Sequence, residues 1–314
     1  MPVIENVPNL HILRDAVLAR YTRFGIGGPA DIYAETDSPE SFAEALRAAR
    51  ASGLAWVVIG GGSNLVVADG GFRGIVLRFT GAAVRAEGSC VIAEAGAELQ
   101  SVVDFAIARG LKGIETLAGI PGSLGAAVYG NAGAYGHAMS EVVDRVRFFD
   151  GESVREAGNA ECEFRYRESA FKRNKDWIVL SARLALTPAE APTLRARADE
   201  IVAERNRKFP QTMKCAGSVF KNLILAELPA AVAAQVPERV VREGKVPAAF
   251  FLEQAGAKGQ SRGDIRVADY HANLIYNAGA GTARDLRELI AALKASVRAR
   301  FGFDLEEEVQ YVGF

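Results

Sequence analysis

Apolar positions along the chain follow two different periods. A helical period opens at Pro39-Glu40, carries Phe42, Leu46 and Ala49 on one stripe, and stops at Gly53. The apolar run Ala55-Trp56-Val57-Val58-Ile59 follows and ends directly on Gly60-Gly61-Gly62. A second run, Gly74-Ile75-Val76-Leu77, comes after Gly70-Gly71. Both runs read as buried strands, which puts the triple glycine in a connection between strands. From about residue 80 to 190 the pattern is mainly that of strands. One helix interrupts it, with Leu99, Val102, Val103, Ala106 and Ile107 forming an apolar face closed by Gly110. Two segments in this stretch, Gly119-Ile120-Pro121-Gly122-Ser123-Leu124-Gly125 and Gly130-Asn131-Ala132-Gly133-Ala134-Tyr135-Gly136, are too rich in small residues for ordinary strand or helix. They predict backbone that approaches something closely.

The stretch from Pro192 to Lys208 is helical in pattern but highly charged, with few large apolar residues, and reads as a connector ended by Pro210. A boundary is expected there. The last third begins with Cys215-Ala216-Gly217-Ser218 and ends in a helix bearing Leu286, Leu289, Ile290, Leu293 and Val297. A final strand is predicted from Leu305 to Val312. No repeat or low-complexity tract is visible.

The chain has 314 residues, 49% hydrophobic and 24% charged, enough for roughly two packed globular units. Its formal net charge of -1 provides no general field for nucleic acid, so any bound phosphate must be met by local amides and a few Lys or Arg. Cys90, Cys162 and Cys215 are odd in number and widely spaced, which fits neither a disulfide framework nor a zinc site. The start, Met1-Pro2-Val3-Ile4-Glu5-Asn6, has no basic or apolar leader pattern, and no apolar stretch reaches about 18 residues. The expectation is a cytoplasmic protein without membrane, nucleic-acid or obligate protein partner.

Candidate chemistry is dispersed. Three glycines between strands are most often a flexible turn. Here Ser63 and Asn64 follow them, and the five residues can also form a nest of donors for an anion such as a diphosphate. Gly25-Ile26-Gly27-Gly28-Pro29-Ala30 satisfies the letters of a dinucleotide fingerprint but not its context, because Asp31-Ile32-Tyr33-Ala34 reads as strand where a helix should open. His11, His137 and His271 lack ligand spacing, so no metal is predicted. Taken singly, Arg167 reads as half of a surface ion pair, Ser218 as a turn residue, and Glu306-Glu307-Glu308 as a solvated face.

Taken in order, the motifs resemble one family closely. They are Thr22-Arg23-Phe24-Gly25-Ile26-Gly27-Gly28, Gly60-Gly61-Gly62-Ser63-Asn64, Gly119-Ile120-Pro121-Gly122-Ser123, Asn131-Ala132-Gly133-Ala134-Tyr135-Gly136, Tyr166-Arg167-Glu168-Ser169, Ala216-Gly217-Ser218-Val219-Phe220-Lys221-Asn222, Ala255-Gly256-Ala257-Lys258-Gly259 and Glu308-Val309. The family is that of the UDP-N-acetylenolpyruvoylglucosamine reductases, and the resemblance spans nearly the whole chain. It implies an α+β fold, with an FAD-binding region of the vanillyl-alcohol-oxidase (PCMH) type in two subdomains and a smaller α/β substrate-binding domain. The expected boundaries are 1-80, 81-204 and 205-314, with the FAD region at about 22-190 and the C-terminal strand returning to it.

The resemblance also implies site residues. FAD would be held by Gly60, Gly61, Gly62, Ser63, Asn64, Gly119, Ile120, Pro121, Gly122, Ser123, Gly133 and Ala134. NADPH would be the hydride donor. Tyr166, Lys208, Lys221, Asn222 and His271 would contact the UDP-N-acetylglucosamine-enolpyruvate substrate. Arg167 and Glu308 would bracket its carboxylate, and Ser218 would protonate the carbon that becomes carbanionic, with Lys221 or Lys208 as the cation that makes the hydroxyl acidic. Glu308 is selected among the three glutamates because Glu308-Val309 followed by Gly313 fits the family's C-terminal pattern. His271 stands where some members have glutamine, and Gln310 where arginine is common. The stretch between Phe171 and Arg205 is too short for the tyrosine-bearing insertion of the longer branch, so the chain resembles the shorter one.

Overall fold

Ser38 accepts a hydrogen bond from the Ser41 backbone N–H (3.2 Å) and, with Pro39 at the first helical turn, starts α1 (Pro39–Ala51). This is the helix the apolar stripe predicted. Its Phe42, Leu46 and Ala49 are buried. The computed structural model describes residues 3–314; Met1 and Pro2, where the first expected subdomain begins, lie outside them.

The chain forms two compact units. The first takes the chain up to Ala16, Ala30–Gly62 and Phe72–Arg207; the second takes Val17–Pro29, Ser63–Gly71 and Lys208–Phe314. Two early segments thus belong with the C-terminal third.

In the first unit, β1 (His11–Val17), β2 (Pro29–Thr36), β3 (Trp56–Ile59) and β5 (Phe72–Phe79) form a sheet in the order β1-β2-β5-β3. β5 runs parallel to both β2 and β3. Asp31-Ile32-Tyr33-Ala34 lies inside β2, so no helix opens after the glycine fingerprint. A second sheet is antiparallel throughout. It consists of β6 (Val84–Glu87), β7 (Cys90–Glu94), β8 (Val143–Phe149), β9 (Val154–Gly158) and β10 (Ile178–Ala185), in the order β9-β8-β10-β7-β6. The predicted helix is α2 (Leu99–Ala108). One apolar core joins residues of both sheets with α1 and α2.

Two expectations for this unit are corrected. The small-residue stretch does form regular structure: Ser123 caps α3 (Leu124–Tyr129), which buries Leu124, Ala127 and Val128 at helical spacing, and Gly133–Ala134 pairs with His137–Ala138. The charged stretch is not a bare connector. It forms α4 (Ala191–Lys208), whose sparse apolar residues Leu194, Ala198 and Ile201 share one buried stripe, and Arg195 reaches Asp104 of α2 at 2.6 Å.

In the second unit, β11 (Lys214–Ser218), β12 (Ser261–Arg262), β13 (Ile265–Ala268) and β14 (His271–Asn277) form an antiparallel sheet ordered β11-β14-β13-β12. α5 (Ala248–Gln254) and α6 (Ala283–Phe301) bury their apolar residues in the same core. Thr282 and Asp285 form a capping box at the start of α6, and Gly302 ends it in the left-handed conformation. The final strand is shorter than predicted. Only β15 (Gln310–Val312) is a regular strand, parallel to β4 (Leu65–Val67), because Glu306 to Glu308 pair instead with the segment after Ser218.

Candidate active site

The structure brings together two of the glycine motifs in the first unit. A Cβ placed on Gly60 would lie 3.1 Å from Ser123 Oγ, and one on Gly61 would lie 3.4 Å from Gly122 Cα. The two loops therefore meet backbone against backbone. A Cβ at Gly60 would press on the Ser123 hydroxyl and one at Gly61 would touch the Gly122 backbone, so longer side chains there would fill the space between the loops. Gln100 of α2 accepts a hydrogen bond from Gly119 N–H (2.7 Å), and Arg205 of α4 lies against Gly119. Ile120 N–H donates to Leu117, and Pro121 is at the exposed crest of the loop. Thr116, just before this loop, is buried with its hydroxyl unpaired by protein.

Ser63 and Asn64 belong to the second unit. Asn64, expected to add a side-chain donor to the nest, turns its amide to the Glu308 carbonyl (2.8 Å), and its own carbonyl accepts from Gln310 N–H (2.9 Å). The physical reason is the parallel β4–β15 pairing, which puts Asn64 beside the C-terminal segment.

Arg167 sits in a tight turn closed by Arg165 and Glu168, in the left-handed region at φ 57°. Its guanidinium donates to the Gly133 carbonyl (3.1 Å) and lies 5.2 Å from the Tyr166 ring centre. Asn131, which the sequence reading quoted only as part of a motif, ties the same two segments. Its Nδ2 donates to the Arg165 carbonyl and its Oδ1 accepts from Ser140 N–H, each at 2.9 Å. Lys172 adds a bond to the Arg167 carbonyl (2.8 Å). Gly133 and Ala134 are thus joined to the turn that carries Tyr166 and Arg167.

Ser218 ends β11 after a register shift, with Gly217 at φ 76° supplying the bend. The next three residues run between Asn273 of β14 on one edge and the C-terminal segment on the other. Phe220 lies opposite Glu307, Lys221 N–H donates to Glu306 (2.9 Å), and Glu308 N–H donates to Val219 (2.7 Å). The three glutamates are not one solvated face. Glu306 pairs with the buried Lys221 ammonium; Glu307 pairs with Lys294 at 2.7 Å and accepts from the Tyr311 hydroxyl. Glu308 is half-buried and stands opposite Val219, next to Ser218.

His271 opens β14. Its Nδ1 accepts the Asn273 backbone N–H (3.2 Å), and its ring packs against Phe209 at 5.7 Å. Burial lowers its pKa, against a backbone hydrogen bond that raises it, with Lys208 and Lys258 adding to the lowering and Glu253 opposing. Lys258 was named in a motif but not assigned to a site by sequence reading; the structure adds it to the cations near His271. Lys208 ends α4, where its carbonyl accepts from the exposed Tyr270 hydroxyl (3.0 Å). Asn222 is exposed beside Lys221. Among the described residues, no group of three or more His, Cys, Asp or Glu side chains could hold a metal, and no helix is long and apolar enough to cross a membrane.

A model described as FAD binding domain matches residues 30–155, and one described as UDP-N-acetylenolpyruvoylglucosamine reductase, C-terminal domain, matches residues 209–312. The chain is 61% identical over 310 residues to the UDP-N-acetylenolpyruvoylglucosamine reductase of Solibacter usitatus, with 99% of each chain covered. The chain belongs to the UDP-N-acetylenolpyruvoylglucosamine reductase family. The reductase of Syntrophus aciditrophicus is 35% identical, over 96% of this chain and 92% of that one. The solved reductase structure from Thermus caldophilus superposes with a TM-score of 0.75 at 28% identity, covering 96% of this chain and 98% of that one. The fold is therefore α+β with the FAD-binding region of the vanillyl-alcohol-oxidase type, as the resemblance implied. As a member of the reductase family, the chain is an FAD-dependent oxidoreductase that uses NADPH. The facing glycine loops fit that cofactor, because a diphosphate needs converging amides without Cβ atoms in the way.

Proposed function

We propose that this chain reduces UDP-N-acetyl-3-O-(1-carboxyvinyl)-glucosamine to UDP-N-acetylmuramate, in the cytoplasm, as a step in making peptidoglycan precursor. The observation that carries the reading at residue level is the pairing of Glu308 with Val219, which sets the terminal glutamate beside Ser218. When bound, FAD would supply the two-electron hydride chemistry that links NADPH to the terminal carbon of the enol ether.

The chain's own residues handle charge and proton. Gly60 to Ser63, with Gly119 to Ser123, hold the cofactor by backbone amides. Arg167, locked in its turn by Asn131 and Gly133, pairs with the substrate carboxylate, and Glu308, as the carboxylic acid, donates a hydrogen bond to it. As negative charge moves onto the carbon next to that carboxylate, the Ser218 hydroxyl gives it a proton, worth about 10² to 10⁴ in rate. The buried Lys221 ammonium, paired with Glu306, stabilises the resulting alkoxide. Lys208, Lys258 and His271 suit the diphosphate side of the substrate: two cations and a ring whose Nδ1 already accepts a bond, leaving Nε2–H to donate. Tyr166 and Asn222 complete the contacts.

The deciding experiment measures NADPH consumption with and without the enolpyruvyl UDP-sugar. Rapid consumption should require that substrate and give a product carrying two more hydrogens. Rapid NADPH oxidation with oxygen alone would point instead to an oxidase on the same cofactor fold.

A further inference from the structure

Asn273 is almost completely buried in the middle of β14, at 2% exposure, and its side chain makes two bonds to one residue. Oδ1 accepts from Phe220 N–H at 2.9 Å, and Nδ2 donates to the Phe220 carbonyl at 2.8 Å. The Asn273 main-chain carbonyl accepts from Val219 N–H at 3.1 Å. These bonds lie where the β11–β14 ladder has slipped. Lys214 and Cys215 pair with Asn277 and Tyr276, but Ser218 pairs with Leu274, so Ser218's strand carries one extra residue. Beyond Val219 the Asn273 amide acts as a substitute strand for Phe220, meeting both its donor and its acceptor.

The other edge of the same segment holds the glutamates. Lys221 N–H donates to Glu306 and Glu308 N–H to Val219, so Phe220 is clamped between Asn273 and Glu307. Phe220 is fully buried, and without the amide its two backbone groups have no water to turn to. We infer that Asn273 is a positioning residue that fixes the register of Ser218 against Glu308. The inference rests on the proposed roles of those two residues.

The test compares the two half-reactions of the FAD-loaded protein by anaerobic rapid mixing. In Asn273→Leu, which removes both bonds at similar volume, bleaching by NADPH should stay within about threefold of the parent. Reoxidation by the enolpyruvyl UDP-sugar should slow by roughly 10- to 100-fold, the scale of a small misplacement of reacting groups. Asn273→Ser keeps one hydroxyl toward Phe220 and should fall between the two. Hydrogen exchange at the Phe220 amide of the same proteins should speed up in the same order, independently of turnover. If Asn273→Leu fails to hold flavin, Asn273→Ser decides. Equal losses in both half-reactions, unchanged reoxidation, or loss of flavin from both variants would overturn the inference. Ser218→Ala, measured alongside, separates the cases: if it reoxidises at the parent rate, the role given to Ser218 is what has failed.

Discussion

The backbone N–H of Glu308 donates to the carbonyl of Val219 at 2.7 Å, so the last of three consecutive glutamates stands opposite the residue that follows Ser218. Two segments far apart in the sequence are thereby held in a fixed register. A hydroxyl and a carboxyl assigned to one substrate gain from this kind of pre-set placement, since misplacing them costs rate without changing the residues themselves.

Ser218→Ala removes only a hydroxyl from a half-buried position. Turnover should fall by about 10² to 10⁴, while NADPH still reduces the bound flavin at nearly the parent rate. Rapid mixing of the two half-reactions checks this. Parallel loss of flavin reduction would remove the proton-donor role.

The three glutamates should separate by effect. Glu308→Gln should lower turnover by about 10² with little change in stability. Glu307→Gln removes the charge opposite Lys294, while the amide can still accept from the Tyr311 hydroxyl, and should cost about 1 kcal/mol of stability. Glu306→Gln leaves the buried Lys221 without its counter-charge and should cost roughly 1 to 3 kcal/mol. Urea denaturation alongside steady-state kinetics distinguishes the three. A Glu307→Gln enzyme that is stable but inactive would move the catalytic role to that residue.

Much of this was legible in the sequence, for definite reasons. α1 and α6 announce themselves through their apolar stripes: Phe42, Leu46 and Ala49 in one, Leu286, Leu289, Ile290, Leu293 and Val297 in the other. The facing loops are legible as clusters of glycine. α3 is not, because Leu124, Ala127 and Val128 complete barely two turns among small residues. Asn64 and Asn131 stand in legible motifs, but the bonds that they and Asn273 make escape a reading by pattern. Each works through side-chain bonds to distant backbone, at Glu308, Arg165 and Phe220, and such bonds leave neither spacing nor periodicity. The terminal strand was overextended because alternation cannot reveal that Glu306 to Glu308 change partners.

Asn131 holds the Arg167 turn from a strained position, with φ at 42°. Asn131→Ala forfeits two hydrogen bonds and puts alanine in the left-handed region, and should cost about 2 to 4 kcal/mol. Asn131→Gly loses the same bonds without the steric penalty and should cost about 1 kcal/mol less. Both should raise KM for the enolpyruvyl substrate, because the turn is no longer tied at the Arg165 carbonyl. Denaturation curves and substrate titrations check the two parts separately.

The three thiols should differ in reactivity. Burial pushes the Cys162 thiol up to about 11, and its S–H donates to the Gly158 carbonyl. Cys215 is fully buried, whereas Cys90 is half-exposed. A thiol reagent at about pH 8 should therefore label Cys90 in the native protein and reach the other two only on unfolding. Peptide mapping after brief labelling decides it; rapid native labelling of Cys162 would contradict the packing described for it.

His271 should make stability depend on pH in one direction. Burial holds its folded pKa below the ordinary histidine value; a hydrogen bond to its own backbone is the main opposing influence, Lys208 and Lys258 add to the lowering, and Glu253 opposes it. A depressed folded pKa means that the unfolded chain binds the proton more readily. The stability contributed by the neutral ring is therefore complete above the unfolded value of about 6.5, declines as pH falls, and is lost once pH passes below the folded value. His271→Gln has no such titration. Between about pH 8 and pH 5.5 the melting temperature of the parent should fall further than that of His271→Gln, with the two curves nearly parallel above about pH 7.5. Identical slopes across that range would show that the ring is not held neutral by its surroundings.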